Sequence, residues 1–221
     1  YIDKAQTAFK TYFYVVKAII RDENGNIVES RSTPVKAITK NQPILNQVAL
    51  KTNKKIEVKW TNVSDASGTQ VFRKAGNGSF KRIATIKNST TSSYIDKNIK
   101  KGTKYTYQVR QYLTSNGSTA YSDYTFEKSA TPMKTVSIKL SRYKKRIKVT
   151  YKKVNGATGY EVFMKTSGGK YKRVKTTKKA VYVKKKLKAS KKYYFKVRAY
   201  KKVNGKRVYA SFSKSKSARP Y

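Results

Sequence analysis

The chain has 221 residues, 53 of them Lys or Arg and 10 Asp or Glu, for a formal net charge of +43. Cysteine and histidine are both absent, which excludes disulfides, thiol chemistry, Cys/His zinc sites and any nucleophile that needs a histidine base. No run approaches the roughly 18 consecutive apolar residues of a membrane helix, so no membrane span is expected, and no amino-terminal signal segment is recognisable.

In chain order the first strand-like run is Tyr12-Phe13-Tyr14-Val15-Val16-Lys17-Ala18-Ile19. Related runs follow at Tyr105-Thr106-Tyr107-Gln108-Val109-Arg110-Gln111-Tyr112 and at Tyr193-Tyr194-Phe195-Lys196-Val197-Arg198-Ala199-Tyr200. Each alternates with period two, the pattern of a half-buried strand. Tyr193, Phe195, Val197 and Ala199 fall on one face, and Tyr194, Lys196, Arg198 and Tyr200 on the other. An aromatic precedes each run by 11 residues (Tyr1, Tyr94, Tyr182), and an Asn-Gly pair follows each (Asn24-Gly25, Asn116-Gly117, Asn204-Gly205). Asn-Gly between strands predicts a type I′ hairpin turn, in which both residues take positive φ. The chain is therefore a repeat array.

Residues 1–42 read as the second half of one repeat, with Tyr1-Ile2-Asp3-Lys4 aligned to Tyr94-Ile95-Asp96-Lys97 and a return from Ile27 to Ala37. A half-sandwich leaves Tyr12, Tyr14 and Val16 without cover and strand edges unpaired. This predicts completion by a companion polypeptide or by a neighbour's strands. Residues 43–133 hold one full repeat. Ile56, Val58 and Trp60 alternate as one strand, Val63 to Gly68 turns, and Thr69, Val71 and Arg73 begin the next. Gly76-Asn77-Gly78 is a hairpin turn before Phe80 to Ile86. Residues 134–221 repeat this with Ile147, Val149 and Tyr151 in place of Ile56, Val58 and Trp60, and with Val154, Ala157, Gly159 and Val162 in place of Val63, Ala66, Gly68 and Val71. Short strands with turn signals about every 8–12 residues predict an all-β fold of tandem antiparallel sandwiches, the first incomplete.

The aromatic on the second strand (Trp60, Tyr151), the Gly159-Tyr160-Glu161-Val162-Phe163 opening and the approach from Leu187 to Tyr193 together resemble fibronectin type III domains. Ile99 to Tyr105, with Gly102 in the turn, has the same spacing. That family's tyrosine corner is implied at Tyr105 and Tyr193. Gln6 departs from it where Ile99 and Leu187 stand, and Thr69 departs where Tyr160 stands. The lysine-rich form resembles repeated C-terminal modules of secreted or cell-surface proteins of Gram-positive bacteria. That resemblance implies a secreted or cell-surface location, with an adhesive or hydrolytic domain upstream. Such a fold is a general scaffold and does not by itself specify function.

The charge is graded along the chain. Residues 1–43 carry net +3, residues 44–133 net +10, and residues 134–221 net +30 with Glu161 as their single acid. Catalysis and cofactors are not expected. Paired carboxylates for glycoside hydrolysis would have to come from only 10 acids. Asp22-Glu23-Asn24-Gly25-Asn26 places Gly fourth and lacks the later acid of a calcium loop, and Gly76-Asn77-Gly78 and Ser167-Gly168-Gly169-Lys170 lack phosphate-loop spacing. Glu161 is expected outward, beside a cross-strand lysine. The runs Lys184-Lys185-Lys186-Leu187-Lys188 and Lys144-Lys145-Arg146 are expected in solvated loops.

The candidate site is the outward face of the motif sheet. In the last repeat Phe163, Lys165, Tyr194, Lys196, Arg198 and Tyr200 should share it, and in the middle repeat Phe72, Lys74, Arg110 and Tyr112. Interleaved aromatics and cations can stack on sugar rings and pair with phosphates or carboxylates; alternatively they cover the sheet and keep it soluble. The leading functional expectation is a non-catalytic spacer and tether to anionic cell-wall polymers or glycans. A strand-completed assembly or adhesion module and an accessory tail of a hydrolase are the alternatives. Nucleic acid is expected to bind only non-specifically.

Overall fold

The computed structural model describes residues 11–38 and 42–221, and every described element is a strand, a turn or a loop. The first four strands are β1 (Thr11–Tyr14), β2 (Lys17–Arg21), β3 (Ile27–Arg31) and β4 (Val35–Ile38). The expectations on Tyr1 to Lys4 and on Gln6 lie outside the described residues. Next come β5 (Ile44–Thr52), β6 (Lys55–Thr61), β7 (Gly68–Ala75), β8 (Lys81–Ile86), β9 (Ser93–Asp96), β10 (Tyr105–Ser115), β11 (Ser118–Tyr121) and β12 (Lys128–Ala130). The last eight are β13 (Ile138–Tyr143), β14 (Arg146–Tyr151), β15 (Gly159–Thr166), β16 (Lys172–Thr177), β17 (Val181–Lys184), β18 (Tyr193–Val203), β19 (Lys206–Tyr209) and β20 (Lys216–Ala218).

These form two like sandwiches. In the middle one a three-stranded sheet β5-β6-β9 faces a sheet ordered β11-β10-β7-β8, with β12 also on β10. In the last, β13-β14-β17 faces β16-β15-β18-β19, with β20 on β18. All pairings are antiparallel, as alternating strands joined by short turns require.

The inward face of each motif strand fills the core. Tyr107 and Val109 meet Ile56, Val58, Trp60 and Val71 in the middle sandwich, while Phe195, Val197 and Ala199 meet Ile147, Val149 and Val162 in the last. Each fully buried aliphatic or aromatic side chain contributes about 1.5–3 kcal/mol, which suffices to fix strand register. Both tyrosine corners are present. Lys100 N–H donates to the Tyr105 hydroxyl at 2.7 Å, and Lys188 N–H to the Tyr193 hydroxyl at 3.0 Å.

Two of the three Asn-Gly pairs are type I′ turns. Asn116 and Gly117 have φ of 49° and 73°, Asn204 and Gly205 of 48° and 76°, and each closes a two-residue loop. Asn24-Gly25 departs from the expectation, because only Gly25 takes positive φ there. The Asp22 carboxylate accepts from the N–H groups of Asn24 (2.9 Å) and Asn26 (2.8 Å), which stabilises a longer loop between Arg21 and Ile27. The first motif run is also broken rather than continuous. Val16 and Ser32 bond each other where the chain passes from β1, paired with β4, to β2, paired with β3.

The middle and last sandwiches meet at a bonded joint. The buried Asn53 side chain donates to Met133 O (2.9 Å) and accepts from Met133 N–H (2.7 Å), while Gly102 N–H donates to Pro132 O at 2.7 Å. Val203 and Val208, from the β18–β19 hairpin, pack onto the apolar cluster of the middle sandwich.

Candidate polyanion-binding face

The site is built on β15 and β18 of the last sandwich, whose register pairs Lys165 with Tyr194, Phe163 with Lys196, Glu161 with Arg198 and Gly159 with Tyr200. Period-two alternation puts all of these side chains on the face opposite the core. The hairpin partner β19 and the loop after it add Tyr209 and Phe212, and Tyr171 comes from the loop before β16.

Together they make an alternating column of cations and rings. Lys165 Nζ lies 5.3 Å from the Tyr194 ring centre and 5.4 Å from that of Tyr171. Lys196 Nζ follows between Tyr171 (4.3 Å) and Phe212 (4.1 Å). Arg198 is then held between Phe212 (4.9 Å) and Tyr209 (3.8 Å), with Phe163 at 5.4 Å. Contacts of this length are attractive through the ring quadrupole, by about 0.5–1 kcal/mol each where exposed. The column is half-buried by its own members and keeps its cations in fixed places.

Glu161 lies beneath the column on the expected outward side of the sheet, but it is buried there, and arginines rather than a cross-strand lysine neutralise it. Its side chain is 0% exposed and its partners are three arginines. Arg198 donates twice to Oε2 (2.9 and 2.8 Å), and Arg173 (2.9 Å) and Arg207 (3.0 Å) donate to Oε1. Burial by itself pushes the carboxyl up, but the hydrogen bonds and charges of Arg198 and Arg173 outweigh it and hold the pKa below the ordinary range. Arginine is favoured here because its planar fork reaches the carboxylate while its plane lies against the rings.

Tyr200 is placed differently from its neighbours. It is 5% exposed, with its ring lying over Gly159, so it forms part of the floor. Tyr112 covers Gly68 in the same way. In the middle sandwich Arg110 lies over Phe72 (5.4 Å), Tyr121 (3.9 Å) and Tyr124 (5.2 Å), but Gln70 stands where Glu161 does and accepts from Arg110 Nε at 2.9 Å. Lys74 is engaged with the Phe80 ring (4.6 Å) and with Glu127. Gln108 occupies the place of Lys196, so the middle column stops after its arginine. Of the ten expected residues, the six of the last sandwich share one continuous face, whereas in the middle one Phe72 and Arg110 meet and Lys74 is held apart.

Sequence reading missed Tyr171, Arg173, Arg207, Tyr209 and Phe212. A signal for two of them exists: Tyr121 and Tyr124 stand at the same spacing after Tyr112 as Tyr209 and Phe212 do after Tyr200.

No family model matches the chain, and no curated protein does. Among solved structures it is similar to a two-domain fibronectin type III segment of chicken tenascin, at 16% identity over 81% of this chain and 99% of that one, with a TM-score of 0.41. It is also similar to the FN1–FN3 segment of chicken CNTN1, at 16% identity over 96% of this chain and 78% of that one, with a TM-score of 0.38. The fold is one of tandem antiparallel sandwiches of the fibronectin type III or immunoglobulin-like kind. That assignment follows from the strand order of both sandwiches and from both tyrosine corners. Among the described residues no group of three or more acids could hold a metal ion, and no helix is long and apolar enough to cross a membrane.

Proposed function

We propose that the chain is a non-catalytic module of a secreted or cell-surface protein, with residues 43–133 and 134–221 as two units of a spacer. The last unit tethers it to anionic cell-wall polymers or glycans. The observation that supports this reading is the cation–aromatic column of the last sandwich, which presents Lys165, Lys196 and Arg198 in fixed order above the one acid of that unit. Ring faces suit sugars, and the interleaved cations suit the charges that such polymers carry. Many weak contacts along a polymer give avidity without a shaped pocket. Since screening acts over about 10 Å at 0.1 M salt, binding should fall steeply with ionic strength.

Retention on purified Gram-positive cell walls across a salt series tests the reading. The expected result is retention at low salt that is lost at high salt, and weakened by Lys165→Gln with Lys196→Gln. Retention that survives high salt, or removal of the anionic polymers from the wall, sinks the electrostatic mechanism. Duplex DNA should bind without sequence preference.

A second reading has its own support. In β1 to β4 and their connections Phe13 is 67% exposed, Val16 71%, Ile20 64% and Val35 63%, on ribbons that are two-stranded among the described residues. Strands from a polypeptide segment outside these 221 residues would complete this part by edge pairing. Native mass measurement of material isolated from its source tests this. A companion segment is expected with it, and a free, monomeric chain counts against the reading.

A further inference from the structure

The two lysine runs that stand apart in the sequence meet at one end of the last sandwich. Leu187 N–H donates to Lys145 O at 2.9 Å, and Lys145 N–H donates to Tyr221 O at 2.7 Å, so the β13–β14 turn and the loop after β17 are tied through their backbones. The tyrosine corner at Tyr193 holds Lys188 N–H and fixes the same loop from its other side. Between them lies a hollow of about 470 Å³ lined by Lys144, Lys145, Lys186 and Lys188 with Leu187 and Tyr221. Across the loop a second hollow of about 330 Å³ is lined in part by Lys191, Lys192 and Arg219.

Three observations separate this pole from an ordinary solvated surface. None of its four lysines Lys144, Lys145, Lys186 and Lys188 has an ion-pair partner among the described residues, and the single acid of residues 134–221 is buried under three arginines elsewhere. Lys145 and Lys186 have φ of 52° and 56°, a conformation that L-residues adopt with strain and that their counterparts Lys54 and Asn98 do not share. The middle sandwich uses the equivalent end differently. There Asn53, in the place of Lys144, holds the Met133 backbone through two hydrogen bonds. The last sandwich has an ammonium group in place of that grip.

We propose that this pole is a second binding site, separate from the cation–aromatic column, for a linear single-chain phosphate polymer other than nucleic acid. Its lining offers several ammonium donors and no Asp or Glu side chain. Ammonium groups act as point charges toward phosphate oxygens, and a phosphate polymer with one charge per short repeat brings more charge to the hollow than a glycan with one carboxylate per disaccharide. The proposal shares the anionic-polymer reading given above but rests on different residues.

Affinity of the full chain for inorganic polyphosphate, synthetic poly(glycerol phosphate), hyaluronan and duplex DNA, each over a salt series, tests it. The pole variant combines Lys144→Gln, Lys145→Gly, Lys186→Gly and Lys188→Gln. Glycine accepts positive φ, so this variant keeps or raises its melting temperature while losing charge. At 0.1 M salt it should lose about tenfold or more for the phosphate polymers, with the slope of log K against log salt smaller by about 3. Loss on both phosphate polymers supports recognition of the shared phosphate, and loss on one alone supports that chain as the occupant. An unchanged slope, an equal loss on hyaluronan, or tighter binding of DNA than of either phosphate polymer overturns the site. A wild-type chain that binds no polyanion at low salt defeats the whole anionic reading. Binding kept by the pole variant but lost by Lys165→Gln with Lys196→Gln defeats the pole alone.

Discussion

At the scale of single residues, the two sandwiches solve the same buried problem with different side chains. The Val63 N–H and its counterpart Val154 N–H both need an acceptor. In the middle sandwich Gln111 Oε1 supplies it at 2.7 Å, beside Thr69; in the last the Tyr160 hydroxyl supplies it at 2.8 Å, beside Ala199. Thr69 pairs with Gln111 across the sheet, and Tyr160 with Ala199, so bulk and polarity have exchanged strands together. Tyr160→Thr or Ala199→Gln alone should each destabilise the last sandwich by about 1–3 kcal/mol, and the double variant should recover part of that loss. Urea unfolding of the four proteins measures the coupling, and strict additivity would contradict it. The Asp96 cluster shows the same logic: the Tyr107 hydroxyl and Arg73 both donate to it at 2.7 Å, and in the last sandwich Phe195, Met164 and Lys184 replace all three.

Glu161 gives a second residue-scale prediction. Its folded pKa is depressed, so its contribution to stability is present above the ordinary carboxylate pKa and is lost as pH falls through the depressed value. Glu161→Gln should destabilise the last sandwich near pH 7 by about 2–3 kcal/mol. This is less than a fully buried pair, because the partly exposed arginines rehydrate. The difference between wild type and variant should shrink as pH drops below about 4.5, the reference value for the group. A difference that stays constant down to pH 2 would show that the carboxylate charge is not what Arg173, Arg198 and Arg207 require.

At the scale of elements, a bulge decides which side chains reach the column. Opposite Val162 and Phe163 the register shifts, so that Arg173 rather than Val174 stands across from Phe163. The same shift at Val71 and Phe72 puts Arg82 there in the middle sandwich. A regular ladder would aim Val174 outward and leave Glu161 one arginine short. The glycine that opens each of these strands is needed because a tyrosine lies on it. A Cβ on Gly159 would stand 2.6 Å from the Tyr200 hydroxyl. Gly159→Ala should therefore displace that ring and lower stability by about 1–3 kcal/mol, readable as a fall in the urea midpoint with an unchanged slope.

At the scale of the whole molecule, charge and joint set the behaviour. Residues 134–221 carry net +30 in one sandwich, which repels itself. Raising salt from 0.01 to 0.2 M should raise the melting temperature of the last sandwich, because the screening length shortens from about 30 Å to below 10 Å. A melting temperature indifferent to salt would mean that self-repulsion is already compensated. The joint is tested by Asn53→Ala, which leaves both Met133 backbone groups without their partner. The expected loss is about 1–3 kcal/mol, with faster hydrogen exchange across Pro132 to Val136. A variant with wild-type exchange there would show that Val203 and Val208 suffice to hold the two sandwiches together.

Both tyrosine corners were implied by the resemblance to fibronectin type III domains, while the sequence by itself determined the repeats, the alternation of the second and third motif strands, and the type I′ turns at Asn116-Gly117 and Asn204-Gly205. All of these depend on local spacing and on backbone preferences that a few neighbouring residues set. It also determined that Phe163 and Lys165, and likewise Tyr194, Lys196, Arg198 and Tyr200, lie on one side of their own strand, since parity fixes that, and the pairing of β15 with β18 joins them into one face. Only the tertiary structure decided what that face contains. Glu161 is buried because arginines from three different strands close over it, and Phe212 and Tyr171 enter from loops. Tyr200 becomes floor because Gly159 leaves room for its ring, and Lys145 meets Leu187 because two distant turns end at one pole. Each of these depends on which strands lie side by side. That is set by burial of both inward faces at once, across sequence separations no local pattern spans.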